Sequence, residues 1–168
     1  LAWEETTPTG KKDLATWCRE QNVAQAASIR QVVKECDCLV VLAPNNPERH
    51  EALADLPLRS GKPVYIDKTF APSRAVAERL FRKAEKYGTP LMSSSALRFG
   101  SALEQALRDR LAGRPVRFVA TRGAGVFPIY AIHQIEMLVM TLGTGATRIM
   151  QCGNDRAPVM IVDYADGR

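Results

Sequence analysis

Gly61-Lys62-Pro63-Val64-Tyr65-Ile66-Asp67-Lys68-Thr69-Phe70-Ala71 is the stretch whose reading decides the fold. Gly-Lys-Pro turns the chain, and Val64 to Ile66 is a short apolar run of strand-forming residues. The strand delivers an acid, Asp67, and a lysine, Lys68, at its carboxyl end. In open parallel sheets, ligands sit just outside the carboxyl ends of the strands. A lysine placed there faces a ligand more often than it faces bulk water.

The pattern around this strand repeats its logic. Upstream, the apolar run Cys38 to Ala43 leads into Pro44-Asn45-Asn46-Pro47 and a helix carrying Ala52, Leu53 and Leu56. Asn46 reads as its N-cap, with Pro47 at the first helical position and Glu48 in the first turn. Downstream, Pro72 and Ser73 open a helix with a stripe of Val76, Leu80, Phe81 and Ala84, and Gly88 closes it. A small strand follows at Leu91-Met92. At the start, Leu1-Ala2-Trp3 reads as the tail of a strand ending at Glu4-Glu5. A polar loop with Gly10, a helix from Asp13 to Glu20, a short strand near Val23-Ala24 and a Ser28-capped helix from Ile29 to Lys34 come next. Alternating strand and helix argues for a parallel sheet.

Past Ala96 the pattern changes. Ser101 to Leu111 reads as a helix, Val116 to Thr121 as a strand and Ile129 to Leu142 as a helix. Arg148 to Cys152 and Pro158 to Tyr164 read as strands. The expected class is α/β over residues 1–96, followed over 97–168 by part of an α+β domain with an antiparallel sheet.

Composition narrows the function. The formal net charge is +5, but the basic residues are scattered among acids. Without basic and aromatic residues interleaved, the charge does not mark a nucleic-acid surface. It fits attraction of an anionic cofactor or substrate. The four cysteines contain no C-x-x-C pair and read as reduced thiols of a cytoplasmic protein. His50 and His133 supply too few ligands for a metal site. Between Gly123 and Thr147 the only formal charge is Glu136, yet Pro128, His133, Gln134 and several glycines make that run a poor membrane span.

Several residues are candidates for chemistry. A lysine partly removed from water can donate a proton or stabilise an alkoxide; the alternative for Lys68 is a surface lysine at a strand end. His133 opens a mostly apolar helix, where a satisfied core histidine is the competing reading. Glu136, three residues on, is expected to hydrogen-bond that ring and fix its tautomer. Asn45, Asn46 and His50 lie at a strand-to-helix turn whose N–H groups suit an anion, although capping alone accounts for Asn46. Glu4 or Glu5, at a strand end, suits ribose hydroxyls. Gly123-Ala124-Gly125 and Gly143-Thr144-Gly145 read as turns, since neither follows a parallel strand and opens a helix.

The order of these pieces resembles the glucose–fructose oxidoreductase and inositol dehydrogenase family (Gfo/Idh/MocA). The matching pieces are Leu42-Ala43-Pro44-Asn45-Asn46-Pro47-Glu48-Arg49-His50, Asp67-Lys68-Thr69 against a Glu-Lys-Pro motif, and Lys86-Tyr87-Gly88. Arg98-Phe99, then His133 with Glu136 and Leu142-Gly143, complete the series. The resemblance implies a two-domain NAD(P)-dependent oxidoreductase acting on a sugar, polyol or related small molecule. Residues 1–96 would then be a partial Rossmann-like dinucleotide-binding domain, and 97–168 a partial substrate and oligomerisation domain pairing copies through its sheet. It implies Lys68 and His133 as catalytic residues opening onto a shared cleft. Glu4, Pro44, Asn45, His50, Asp67, Lys68 and Arg98 would meet the cofactor, and Lys68, Tyr130 and His133 the substrate.

Three departures shape the expectation. Ile129 stands where the family has an aspartate four residues before the histidine, with Tyr130 beside it as a substitute. Thr69 replaces the usual proline. The G-x-G-x-x-G turn is absent, so the chain is expected to be a fragment whose sheet lacks its central strand. Its first residue, Leu1, and its last turn, Asp163 to Arg168, fit that reading. Such a chain is expected to be inactive alone. An acid at the Glu4-Glu5 strand end favours NAD over NADP. The alternative is a non-catalytic sugar- or nucleotide-binding paralogue, which Ile129 favours.

Overall fold

A computed structural model describes residues 1–7 and 10–168. Pro8 and Thr9, in the polar loop expected after Glu5, lie outside the described residues. The chain forms two compact units, Leu1–Ser93 and Ser94–Arg168.

The first unit is built on a parallel sheet of β1 (Leu39–Val41), β2 (Val64–Ile66) and β3 (Leu91–Met92), in that spatial order. Leu39 lies beside Val64, and Val64 beside Leu91. Successive strand residues point to opposite faces. Leu39, Val41, Val64 and Ile66 therefore enter one core with Ala54, Leu58, Leu80 and Ala84, while Val40 between them stays exposed. The helices α2 (Ile29–Glu35), α4 (Asp55–Arg59) and α5 (Arg74–Lys86) belong to this layer, after α1 (Leu14–Gln21) and with α3 (His50–Leu53).

Local sequence sets the helix starts. Asp13, Ser28 and Ser73 each accept a backbone N–H from the first turn that follows. Asn46 does not: its side chain makes no capping bond, and Pro47 opens a short 3-10 turn before α3. Proline presets the first helical φ and has no N–H to satisfy, so that turn forms without the expected cap. On the surface, Lys83 and Arg59 both engage Asp55, with Arg59 Nε 2.9 Å from Oδ2. Their hydrogen bonds, Lys83's first, hold its carboxyl below the usual aspartate range.

The end of α2 shows how a connection is secured. Lys62 Nζ donates to the carbonyls of Val33 (2.7 Å), Cys36 (2.7 Å) and Lys34 (3.2 Å). A cation at a helix carboxyl end satisfies carbonyls that the helix cannot and complements its dipole. Lys62→Met keeps the side-chain bulk and removes those bonds. Urea denaturation is expected to show a loss of about 1–2 kcal/mol; an unchanged midpoint would mean that water caps α2 equally well.

The expected strand at Leu1-Ala2-Trp3 is reduced to one parallel bridge between Ala2 and Gln25, with Ala2 N–H bound to Ala24 O at 3.0 Å and Ala26 N–H to Ala2 O at 2.8 Å. Its partner is thus centred one residue past the expected Val23-Ala24.

The second unit holds α6 (Ser101–Gln105), α7 (Phe127–Leu142) and an antiparallel hairpin of β4 (Ala146–Asn154) and β5 (Ala157–Tyr164). Asn154 Oδ1 accepts the N–H groups of Arg156 and Ala157 and so closes the turn. Past Gln105 the chain continues to Arg110 in wider helical turns. Val116 to Thr121 is irregular, not the expected strand. The sheet of this unit consists of β4 and β5 alone among the described residues, and a strand-forming sequence without a ladder partner does not settle into a strand. No helix among the described residues is long and apolar enough to cross a membrane, and no cluster of metal-ligating side chains occurs among them.

Candidate active site

In the first unit, the carboxyl ends of β1 and β2 lie side by side, because Val41 pairs with Ile66 and the Asp67 N–H donates to Val41 O at 3.0 Å. This register brings together residues more than twenty positions apart. Lys68, half-buried, reaches Asn45 Oδ1 at 3.4 Å. Asn45 adopts φ +58°, a left-handed conformation that asparagine tolerates better than most residues. The turn around it is closed by Asn46 N–H on Ala43 O at 2.9 Å. Pro44, Asn45, Asp67 and Lys68 therefore form one cluster at the end of the sheet where open α/β folds bind ligands.

His50 does not line that surface. Its ring is fully buried, and Nδ1 lies 3.1 Å from the carbonyl of Phe70. Nε2 is buried with no hydrogen-bond partner among the described residues. The expected place facing an anion is thus replaced by a place beneath the Lys68–Ala71 segment. Spacing from the helix start places His50 at the turn's rim, but the 3-10 turn at Pro47–Arg49 directs it into the core. Glu4 accepts the Thr7 hydroxyl at 2.9 Å, and Glu5 pairs with Arg49.

In the second unit, α7 carries His133, Tyr130 and Glu136. Its sequence explains its placement: Pro128 occupies the first turn, and an almost continuous apolar run leaves few polar positions. Tyr130 and His133, three apart, place their rings 5.7 Å from centroid to centroid. Gly125 lies beneath Tyr130, where an added Cβ would sit 2.5 Å from ring carbon Cδ2.

Glu136 does not hold the His133 ring as expected. One of its oxygens accepts the backbone N–H of Ser95 at 3.0 Å, and the other accepts Arg98 Nη1 at 2.7 Å. The ring's Nδ1 instead meets Ser95 Oγ at 2.5 Å. The physical reason is competition. The guanidinium makes a charge-assisted bond to the carboxylate, and the buried Ser95 N–H would be costly to leave unpaired. Arg98, expected at the cofactor, spends at least one of its donors on Glu136.

Sequence reasoning missed Ser95. It is fully buried and lies 38 positions from His133. Ser93-Ser94-Ser95 after β3 is a visible polar cluster, but no spacing rule links it to α7. Chemically, the second unit offers a histidine whose Nδ1 is engaged, with a carboxylate and an arginine bracing the serine behind it. The first unit offers an ammonium at a sheet end.

No family model matches the sequence, and no curated protein matches it. Solved structures do. GenD2 from gentamicin A biosynthesis, in complex with NAD, is similar with a TM-score of 0.72 and 19% identity, over 91% of this chain and 52% of that one. The WlbA dehydrogenase from Bordetella pertussis, in complex with NADH and UDP-GlcNAcA, gives 0.72 and 16%, over 92% and 56%. Biliverdin reductase from Synechocystis sp. PCC 6803, in complex with biliverdin and NADP+, gives 0.66 and 17%, over 91% and 57%. The chain spans about half the length of these structures. It carries the α/β fold of these oxidoreductases, as its resemblance to the glucose–fructose oxidoreductase family implies.

Proposed function

We propose that the chain is part of an NAD(P)-dependent oxidoreductase that moves a hydride between a nicotinamide cofactor and a sugar, polyol or related small molecule. The observation that carries the reading is the cluster of Lys68 and Asn45 at the carboxyl end of a parallel sheet, in a fold shared with structures holding NAD, NADH and NADP+.

The residues present fit part of such a cofactor. Asn45, Pro44 and Asp67 form the sheet-end surface on which a nicotinamide nucleotide would rest. A glycine-rich pyrophosphate turn does not occur in the sequence, so these residues hold only one portion of it. When bound, the cofactor supplies or accepts the hydride. In this reading Lys68 places its positive charge on the reacting oxygen, which gains negative charge as the carbon–hydrogen bond breaks. His133 carries the proton that oxygen gains or loses, and Tyr130 lies beside it to contact substrate. Glu4 near a ribose favours NAD, because a carboxylate repels a 2′-phosphate. Assembly of copies through the β4–β5 hairpin, and a cytoplasmic setting, belong to the same proposal.

A second reading, a non-catalytic sugar- or nucleotide-binding paralogue, is favoured by Ile129, which puts an apolar side chain one turn before His133. Cofactor-dependent turnover separates the two. A catalytically complete protein should oxidise or reduce a member of a sugar and polyol panel with NAD(H) or NADP(H). Cofactor binding without turnover on any of them would support the paralogue. The chain alone is expected to bind either nucleotide more weakly than micromolar in calorimetric titration, since it lacks the backbone cradle that holds a pyrophosphate. Micromolar binding would show that another part of the chain supplies it.

A further inference from the structure

Within the second unit, His133 Nδ1 and Ser95 Oγ form a short polar contact, and its hydrogen bookkeeping has one satisfactory solution. A serine hydroxyl has one hydrogen to give and two lone pairs to offer. One lone pair of Ser95 Oγ takes the Leu97 N–H at 3.1 Å. The remaining polar neighbour of the hydroxyl among the described residues is His133 Nδ1, at 2.5 Å. Two arrangements make that bond. Either the hydroxyl donates to a bare Nδ1 and the ring proton sits on Nε2, or Nδ1–H donates to the hydroxyl. In the second, the serine hydrogen has no acceptor, and Ser95 is fully buried, so water does not supply one. A buried donor left unmade is the costly outcome.

We propose that Ser95 is a positioning residue that selects the tautomer of His133, so that the neutral ring carries its proton on Nε2. Glu136 and Arg98 brace this arrangement, because Glu136 holds the Ser95 backbone N–H while its other oxygen takes the arginine. The tautomer stands on hydrogen bonds within the second unit. Its bearing on chemistry rests on the oxidoreductase reading. There, the neutral ring offers an N–H to an oxygen, as a carbonyl substrate needs, and not a lone pair to an alcohol proton. Accepting a proton at Nε2 requires the proton to sit on Nδ1 first, with the Ser95 hydroxyl turned away.

The chain contains two histidines, and they test each other. His50 Nδ1 faces a backbone carbonyl. A carbonyl only accepts, so the neutral His50 ring must carry its proton on Nδ1, the opposite tautomer. Long-range proton–nitrogen correlation of the imidazole rings reads this directly on the chain as it is, at alkaline pH and without cofactor. His133→Gln assigns the two sets of signals. The expected wild-type result is a pyridine-like Nδ1 with a pyrrole-like Nε2 for His133, and the reverse for His50. In Ser95→Ala the two His133 nitrogen shifts should move toward each other as the tautomers mix, and Ser95→Thr should restore the wild-type pattern. A pyrrole-like Nδ1 in wild-type His133 overturns the proposal, as does a Ser95→Ala pattern identical to wild type. If Ser95→Ala does not fold, the wild-type and Ser95→Thr spectra decide. The expected spectrum, beside a catalytically complete protein that turns over no member of the sugar and polyol panel with either cofactor, would reject the oxidoreductase reading and leave the tautomer assignment standing.

Discussion

Lys68→Ala in a catalytically complete protein is expected to slow turnover roughly a hundred- to a thousand-fold, about 2.7–4 kcal/mol of barrier. Position is the first reason. Lys68 lies two residues past the end of β2, and the β1–β2 register sets it beside Asn45. An ammonium at that point does little for folding, since the core lies on the Leu39, Val41, Val64 and Ile66 side of the strands. Its work is to hold charge that develops on an oxygen during the reaction, where a preorganised cation outperforms water. The expected signature is therefore a large fall in kcat with a denaturation midpoint close to wild type. Unchanged kcat with the natural substrate would reject the assignment. A fall in kcat matched by a fall in stability would mean that the lysine is structural.

Ile66→Ala is expected to have the opposite signature, a stability loss of about 2–5 kcal/mol measured on the chain itself by urea denaturation. Ile66 is fully buried at the end of β2, in the cluster with Leu58 and Leu80. Removing three carbons deletes the transfer free energy of burial and leaves a cavity that neighbours fill only in part. The same change loosens the strand that carries Asp67 and Lys68. A loss below about 1 kcal/mol would show that β2 is packed less tightly than its burial implies.

Together the two substitutions separate the two jobs of one short strand. Its buried side chains hold the sheet, and the half-buried Lys68 just past its end meets Asn45. That division is legible in the residues themselves. Val64 to Ile66, bounded by Gly61 and followed by Asp67-Lys68, reads as a strand with a functional end because apolar runs, turn residues and helix caps are local signals. Ser28 and Ser73 likewise declare their helix starts, since each cap bonds to an N–H three residues away.

Other features depended on partners that sequence distance hides. Val116 to Thr121 has strand-forming composition yet stays irregular, because a strand needs a ladder and no strand among the described residues pairs with it. His50 sits at a plausible ligand-facing turn by spacing, but the tertiary fold sinks it under the Phe70 carbonyl. Glu136 is three residues from His133 and correctly placed on the same helix, yet its charge goes to Ser95 N–H and Arg98. By itself, the sequence determined the alternation of strands and helices, the strand-end lysine and the helix bearing His133, all through interactions within a few residues. Only the tertiary structure decided what each polar group bonds, because a buried donor or acceptor takes the strongest partner that packing brings near it, whatever its distance along the chain.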